Sequence, residues 1–218
     1  MKYKLEWTYK IKGNEGVVFQ SDWLDGEMAL LVGEDIEKSG KGRDILYHDE
    51  MGTSWNTKEM RKLLTEIEED PHDLTVYFDG GFNKATYQAG LGAVIYYKQG
   101  KKKYRIRANE LFHEIENNNE AEYAALYFTL NLLEEMGVHH MICEFKGDSQ
   151  GVLMQLKGEW PCFEENLNRW LDRIEEKMKN LSIEARYTPI PRTENKEADK
   201  LATQALEGKM IYSKMQVI

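Results

Sequence analysis

The chain has 218 residues, 41% of them hydrophobic and 31% charged, with 29 Lys+Arg against 38 Asp+Glu for a net charge of -9. With a mean hydropathy of -0.65, this composition excludes a disordered chain, an integral membrane protein and a protein that holds nucleic acid by bulk charge. The charge is uneven: residues 1–70 carry 10 Lys+Arg and 16 Asp+Glu, and residues 71–218 carry 19 and 22, which leaves room for a local basic patch in the second part.

Residues 1–11 and 16–20 read as two short strands around the turn Lys12-Gly13-Asn14-Glu15-Gly16. Met28 to Glu37 follows as an amphipathic helix with Ala29, Leu30, Leu31 and Ile36 on one face. A strand at Asp44–Tyr47 and a helix over Lys58–Glu68, capped by Asn56 or Thr57, complete a small α+β unit. Its aromatic residues, Tyr3, Trp7, Tyr9, Phe19, Trp23, Tyr47 and Trp55, suit the core of a small domain. The acidic, proline-containing segment Glu68-Glu69-Asp70-Pro71-His72 marks the boundary. The expected domains are therefore 1–70, of unassigned role and partner, and 73–207, with 208–218 as a C-terminal tail.

The second domain opens with a strand at Leu74–Gly80. Gly90–Lys98 and Tyr104–Asn109 form a hairpin. The long helix Asn118–Met136 stops at Gly137, and His140–Phe145 is a short apolar strand. Helices at Ser149–Lys157 and Glu164–Lys179, a strand at Ser182–Tyr187 and a last helix at Glu194–Glu207 follow. Three antiparallel strands and two reached by helical crossovers predict an α/β fold: a mixed five-stranded sheet with helices on its faces. The start MKYKLEWTYK lacks the apolar core of a signal peptide. Two cysteines, Cys143 and Cys162, build neither a disulfide framework nor a four-thiolate zinc site. The expected compartment is the cytoplasm, with no membrane partner.

Four acids carry the chemistry. Asp79 ends an apolar strand and precedes Gly80-Gly81, where backbone can approach a ligand. By itself it also reads as an ordinary Asp-Gly turn. Glu120 and Glu122 sit in the first turns of a helix preceded by Asn117-Asn118-Asn119, where the helix dipole favours any carboxylate. Glu122 lies beside the small pair Ala121 and Ala125, closer to the core-facing stripe. Asp148 follows a strand and opens a helix, as a plain N-cap also would. Asp199 lies in the first turns of the last helix. Asp79 and Asp148 share a sheet edge if their strands are neighbours. Clustered carboxylates repel unless a cation neutralises them, and hard oxygen ligands select Mg2+ or Mn2+.

TVYFDGG, NNEAEYAAL, GDSQ and TENKEADKLATQAL, in that order on those elements, resemble the ribonuclease HI family of the ribonuclease H-like fold, closest to its bacterial reverse-transcriptase-like branch. The resemblance covers residues 73–207. It implies Asp79, Glu122, Asp148 and Asp199 as metal ligands for two ions of Mg2+ or Mn2+, with Glu122 preferred to Glu120 by its step from Asn118 and Asn119. It implies endonucleolytic hydrolysis of the RNA strand of an RNA·DNA hybrid, leaving 5'-phosphate and 3'-hydroxyl ends. Gly80, Gly81, Asn118, Asn119, Gln150 and Arg192 are the implied substrate contacts, with RNA told from DNA through the 2'-hydroxyl.

Departures from the family pattern include Phe82 where a small hydroxyl residue is usual, Asn117 where a threonine is usual, and Thr188-Pro189-Ile190-Pro191-Arg192 where a histidine is usual. A short acidic loop, Glu159 to Glu165, replaces a basic protrusion. They raise the alternative of a weakly active or inactive nucleic-acid- or protein-binding relative; a third reading is a metal-dependent exonuclease on the same fold. The remaining basic stretch, Lys98, Lys101, Lys102, Lys103, Arg105 and Arg107, is either a phosphate contact or a lysine-protected edge strand.

Overall fold

The computed structural model describes residues 2–10, 12, 13 and 15–217. Ile11 and Asn14, which belong to the expected first strand and turn, lie outside the described residues. The chain divides into two compact units, Met1–Glu69 and Asp70–Ile218.

The first unit contains β1 (Lys2–Tyr9), β2 (Val17–Gln20), β3 (Leu24–Asp25), α1 (Gly26–Lys38), β4 (Gly42–Asp49), β5 (Ser54–Asn56) and α2 (Thr57–Glu69). Its sheet runs β2-β1-β4-β5, with β3 also paired to β1. Both helices begin at side-chain caps. Asp25 accepts from the Met28 N–H at 2.8 Å. Asn56 accepts from the Lys58 and Glu59 N–H groups at 3.0 Å each, and Glu59 accepts from the Asn56 N–H, a reciprocal box that fixes the start of α2. Tyr3, Leu5, Ala29, Ile45, Tyr47 and Met60 form the core. The other aromatic residues do not all join it: Trp7 and Trp55 pack against it partly buried, whereas Tyr9, Phe19 and Trp23 are exposed. The edge strand β2 is exposed at every position, so its aromatic residue has no second layer to enter.

The second unit contains β6 (His72–Asn83), β7 (Gln88–Gln99), β8 (Lys102–His113), α3 (Asn118–Glu135), β9 (Ile142–Gly147), α4 (Gln150–Leu156), α5 (Glu165–Leu181), β10 (Glu184–Pro189), α6 (Lys196–Leu206) and β11 (Tyr212–Val217). The sheet is mixed, in the order β10-β9-β6-β7-β8-β11. β6, β7 and β8 are antiparallel neighbours, while β9 and β10 run parallel to β6 and to each other. All five expected strands are present. The sheet gains a sixth because residues 212–217, expected as a tail, pair antiparallel with β8. β8 is therefore not an edge strand.

Glycines set how closely the helices approach this sheet. A Cβ on Gly80 would lie 2.2 Å from the Ala121 carbonyl in α3. On the opposite face, a Cβ on Gly92 would lie 2.2 Å from the Ala198 carbonyl, and one on Gly90 would lie 1.9 Å from the Ala202 carbonyl, both in α6. Real side chains cannot occupy those positions, so backbone packs on backbone, with α3 on one face and α6 on the other. α3 is buried over Glu120–Leu126 without a break, because α5 covers its outer side through Leu167, Trp170, Ile174 and Met178.

Candidate metal centre

Asp148 directly follows the C-terminal end of β9, whereas Asp79 lies inside β6, which runs on to Asn83 instead of ending at Gly80 as expected. Asp79 stands two residues past Tyr77, the last residue of β6 paired with its parallel neighbour β9, so both acids lie where that pairing stops. The residue after Asp79 is Gly80, the point where α3 descends, and this brings Glu122 to the same edge. Carboxylate oxygens of Asp79, Glu122 and Asp148 all lie within 4.8 Å of one another. Asp79 and Glu122 are each only 7% exposed. Burial pushes the Asp79 carboxyl up to about 7, helped by the charges of Asp148 and Asp199. Glu122 is held well above the ordinary carboxylate range, first by burial and then by Asp79 and Asp148, against a hydrogen bond from the Gly80 backbone that favours its anion. Two buried acids that resist ionising, with the Asp148 carboxylate beside them, suit a divalent ion, which would remove both the desolvation penalty and the repulsion. The donor set is all oxygen, which fits a hard cation.

Asp199 stands apart from this trio. It lies in α6, near enough to raise Asp79, but it is half-exposed and paired with Arg192, whose Nη2 is 2.7 Å from its Oδ1. The same guanidinium acts on Asp79 and Glu122, lowering both. Arg192 itself begins a 3-10 turn, Arg192–Glu194, leading into α6, and its side chain is 78% exposed.

The two glutamates of α3 have separate environments. Glu120 accepts from the Trp170 indole N–H at 3.0 Å and from the Glu116 backbone N–H at 2.8 Å, while Asn117 caps the helix by accepting from the Glu120 N–H at 2.9 Å. Glu120 therefore fastens the helix start to α5, and Glu122, half a turn on, faces the aspartates. Asn118, Asn119 and Gln150 are exposed at the N-termini of α3 and α4. Gly80 is buried under α3, and Gly81 faces Leu206 and Ala202 of α6.

Two sequence expectations change. Arg105 and Arg107 do share one face, but both are engaged by Glu197 of α6, at 3.2 and 2.8 Å. Lys98 pairs with Asp73 at 2.6 Å. Only Lys101, Lys102 and Lys103, exposed around the β7–β8 turn, keep the character of a free basic patch. The second change is an addition. Asn195, 1% exposed at the start of α6, donates from Nδ2 to the Phe78 carbonyl at 2.9 Å and to Asp148 Oδ1 at 2.7 Å, with a longer contact to Asp79 Oδ1 at 3.4 Å. In the sequence it resembles any helix-capping asparagine, and no local pattern singles it out.

A mixed sheet with helices on both faces and acids gathered where two parallel strands stop pairing defines a ribonuclease H-like protein. Residues 77–205 match the reverse transcriptase-like family, and the chain belongs to that family. It is 40% identical over 214 residues to the uncharacterised protein YpeP of Bacillus subtilis (strain 168), covering 98% of this chain and 94% of that protein. It is 37% identical over 90 residues to ribonuclease HI of Halobacterium salinarum, covering 41% of this chain and 44% of that enzyme. Among solved structures, RNase H1 of Halobacterium salinarum superposes with a TM-score of 0.54 at 30% identity, covering 62% of this chain and 98% of that one. LC11-RNase H1 in complex with an RNA/DNA hybrid superposes with a TM-score of 0.53 at 26% identity, with 62% and 98% covered. Among the described residues, no helix is long and apolar enough to cross a membrane.

Proposed function

We propose that this protein is a divalent-metal-dependent endoribonuclease that hydrolyses the RNA strand of RNA·DNA hybrids. The observation that carries the reading is the convergence of the buried Asp79 and Glu122 with the half-buried Asp148 within a chain similar to two named RNase H enzymes, one of them solved on a hybrid. Asp79, Glu122 and Asp148 would hold one ion of Mg2+ or Mn2+, and Asp199 would join Asp79 in holding a second. Bound there, the ions would supply a more acidic water and charge stabilisation at the scissile phosphate. The chain's own residues do the rest. Gly80 donates its N–H to Glu122 and favours that carboxylate's ionised form against the burial that opposes it. Arg192, exposed and tethered among the described residues by Asp199, is free to turn its guanidinium to a substrate phosphate. Asn118, Asn119 and Gln150 present exposed amides at two helix N-termini, where sugar hydroxyls and phosphates are well received.

The second reading is a hybrid-binding protein with weak turnover. The Arg192–Asp199 ion pair favours it, because a carboxylate neutralised by arginine is a poorer ligand for a second ion. Cleavage assays on hybrid, duplex RNA and single strands with each metal, run beside Asp79→Asn, decide between them. Internal cuts in the RNA of the hybrid that vanish in the variant support the endonuclease. Binding without cleavage supports the second reading, and trimming from one end only overturns both.

A further inference from the structure

We infer that Asn195 is a positioning residue for the metal site: its side-chain amide braces Asp79 and Asp148 in the arrangement a cation requires. The inference rests on the metal-site reading above and adds a residue to it that is not itself a ligand.

The amide has one workable orientation. Three oxygens, from the Phe78 backbone, Asp148 and Asp79, surround one end of it at 2.9, 2.7 and 3.4 Å. Only the NH2 end can face them, since an amide oxygen there would meet three further acceptors. The carbonyl end points elsewhere and has no hydrogen-bond partner. All the directional bonding of this buried side chain therefore runs through the donor end. One proton is committed to the carbonyl of Phe78, the residue before Asp79, and this anchors the start of α6 to β6. The other proton lies between two carboxylates from different strands.

That second proton acts on the site in two ways. It offsets part of the repulsion between two anions that the fold holds together when no cation is present. It also fixes which oxygen of Asp148 is occupied, leaving the other outside this bond. Hydrogen bonds from outside a ligand set commonly set metal affinity in this way, and removing one lowers that affinity about 10–100-fold. Asn195 and Asp199 are one helical turn apart, the Asp199 N–H bonding to the Asn195 carbonyl at 3.1 Å. The brace therefore also sets where α6 delivers its carboxylate.

The test is Mn2+ binding to the full chain, followed by calorimetry at a temperature where each variant is folded by circular dichroism. Asn195→Ala and Asn195→Ser both remove the amide donor, and the serine hydroxyl is too short to reach the aspartates. The control is Asn109→Ala. Asn109 is also a buried asparagine that ties α6 to the sheet, donating to Leu201 and Lys209 carbonyls at 2.9 Å each, but it touches none of the acids. Loosening α6 in general would weaken both sites of substitution alike. The expected result is Mn2+ affinity lowered about 10–100-fold by either Asn195 variant, unchanged in Asn109→Ala, and abolished in Asp79→Asn. Equal affinity in wild type, Asn195→Ala and Asn195→Ser overturns the brace while leaving the metal site intact. An equal loss in Asn109→Ala reduces Asn195 to a packing role. Wild type that binds no better than Asp79→Asn removes the metal reading itself, and the brace with it.

Discussion

Replacing Asp79 by Asn makes a specific demand on the energetics of the site. The carboxyl is raised from 3.8 to about 7 by burial and by neighbouring charge. A folded-state value above the unfolded one means that the ionised group opposes folding. The opposition is absent below pH ~4, grows between about 4 and 7, and is complete above that. At about 1.4 kcal/mol per pH unit, the shift corresponds to about 4 kcal/mol at the upper limit. The neutral amide removes the buried charge and its repulsion by Asp148 and Asp199 but still buries a polar side chain, so it recovers about 2–4 kcal/mol. In a protein of this size that is a rise in melting temperature of about 5–10 °C. The assay is thermal unfolding of the full chain in a chelator at pH 8 and again at pH 4, for wild type and Asp79→Asn. The variant should be the more stable at pH 8, and the difference should shrink at pH 4. Adding Mn2+ should reverse the order at pH 8, because only wild type gains stability from an ion that binds the folded state. A variant that melts at or below wild type at pH 8 without metal would refute the account of Asp79 as an electrostatically strained group.

The two α3 glutamates should separate in the same assay. Glu120→Ala strands the Trp170 indole and Glu116 N–H donors and should destabilise by about 1–3 kcal/mol with the Mn2+ shift retained, whereas Glu122→Gln should lose the Mn2+ shift. Exchange of these outcomes would mean the wrong glutamate faces the aspartates. Gly80→Ala and Gly92→Ala drive a Cβ into helix backbone at 2.2 Å and should each lower stability by at least about 1–3 kcal/mol; unchanged melting in either would contradict the backbone-on-backbone packing. Cys143 is fully buried, its thiol pushed up to about 12 by burial, while Cys162 is partly exposed. Ellman's reagent should label one thiol in the native protein and two in denaturant, and two fast native reactions would show that β9 is open to solvent.

The amino-acid sequence by itself marked most of the elements and singled out the candidate acids. β-Branched and aromatic residues around a Gly-containing turn marked β7 and β8, the apolar run before Asp79 marked β6, and Asn-rich and Asp-Gly segments marked where helices and turns begin. These signals are local, because side-chain period and capping chemistry are written within a few residues. Four short motifs in order were enough to place the chain in its family. Tertiary structure decided what depends on partners far along the chain. Residues 212–217 became a sixth strand because β8 offered an unpaired edge, which nothing in their own pattern announces. Arg105 and Arg107 were taken up by Glu197, some 90 positions on, so charges that looked available for phosphate are largely spent. The placement of Glu122 beside the aspartates and of Asn195 between two of them depends on how closely glycines let α3 and α6 approach the sheet. A sequence shows that those glycines are present; it does not show what lies above them.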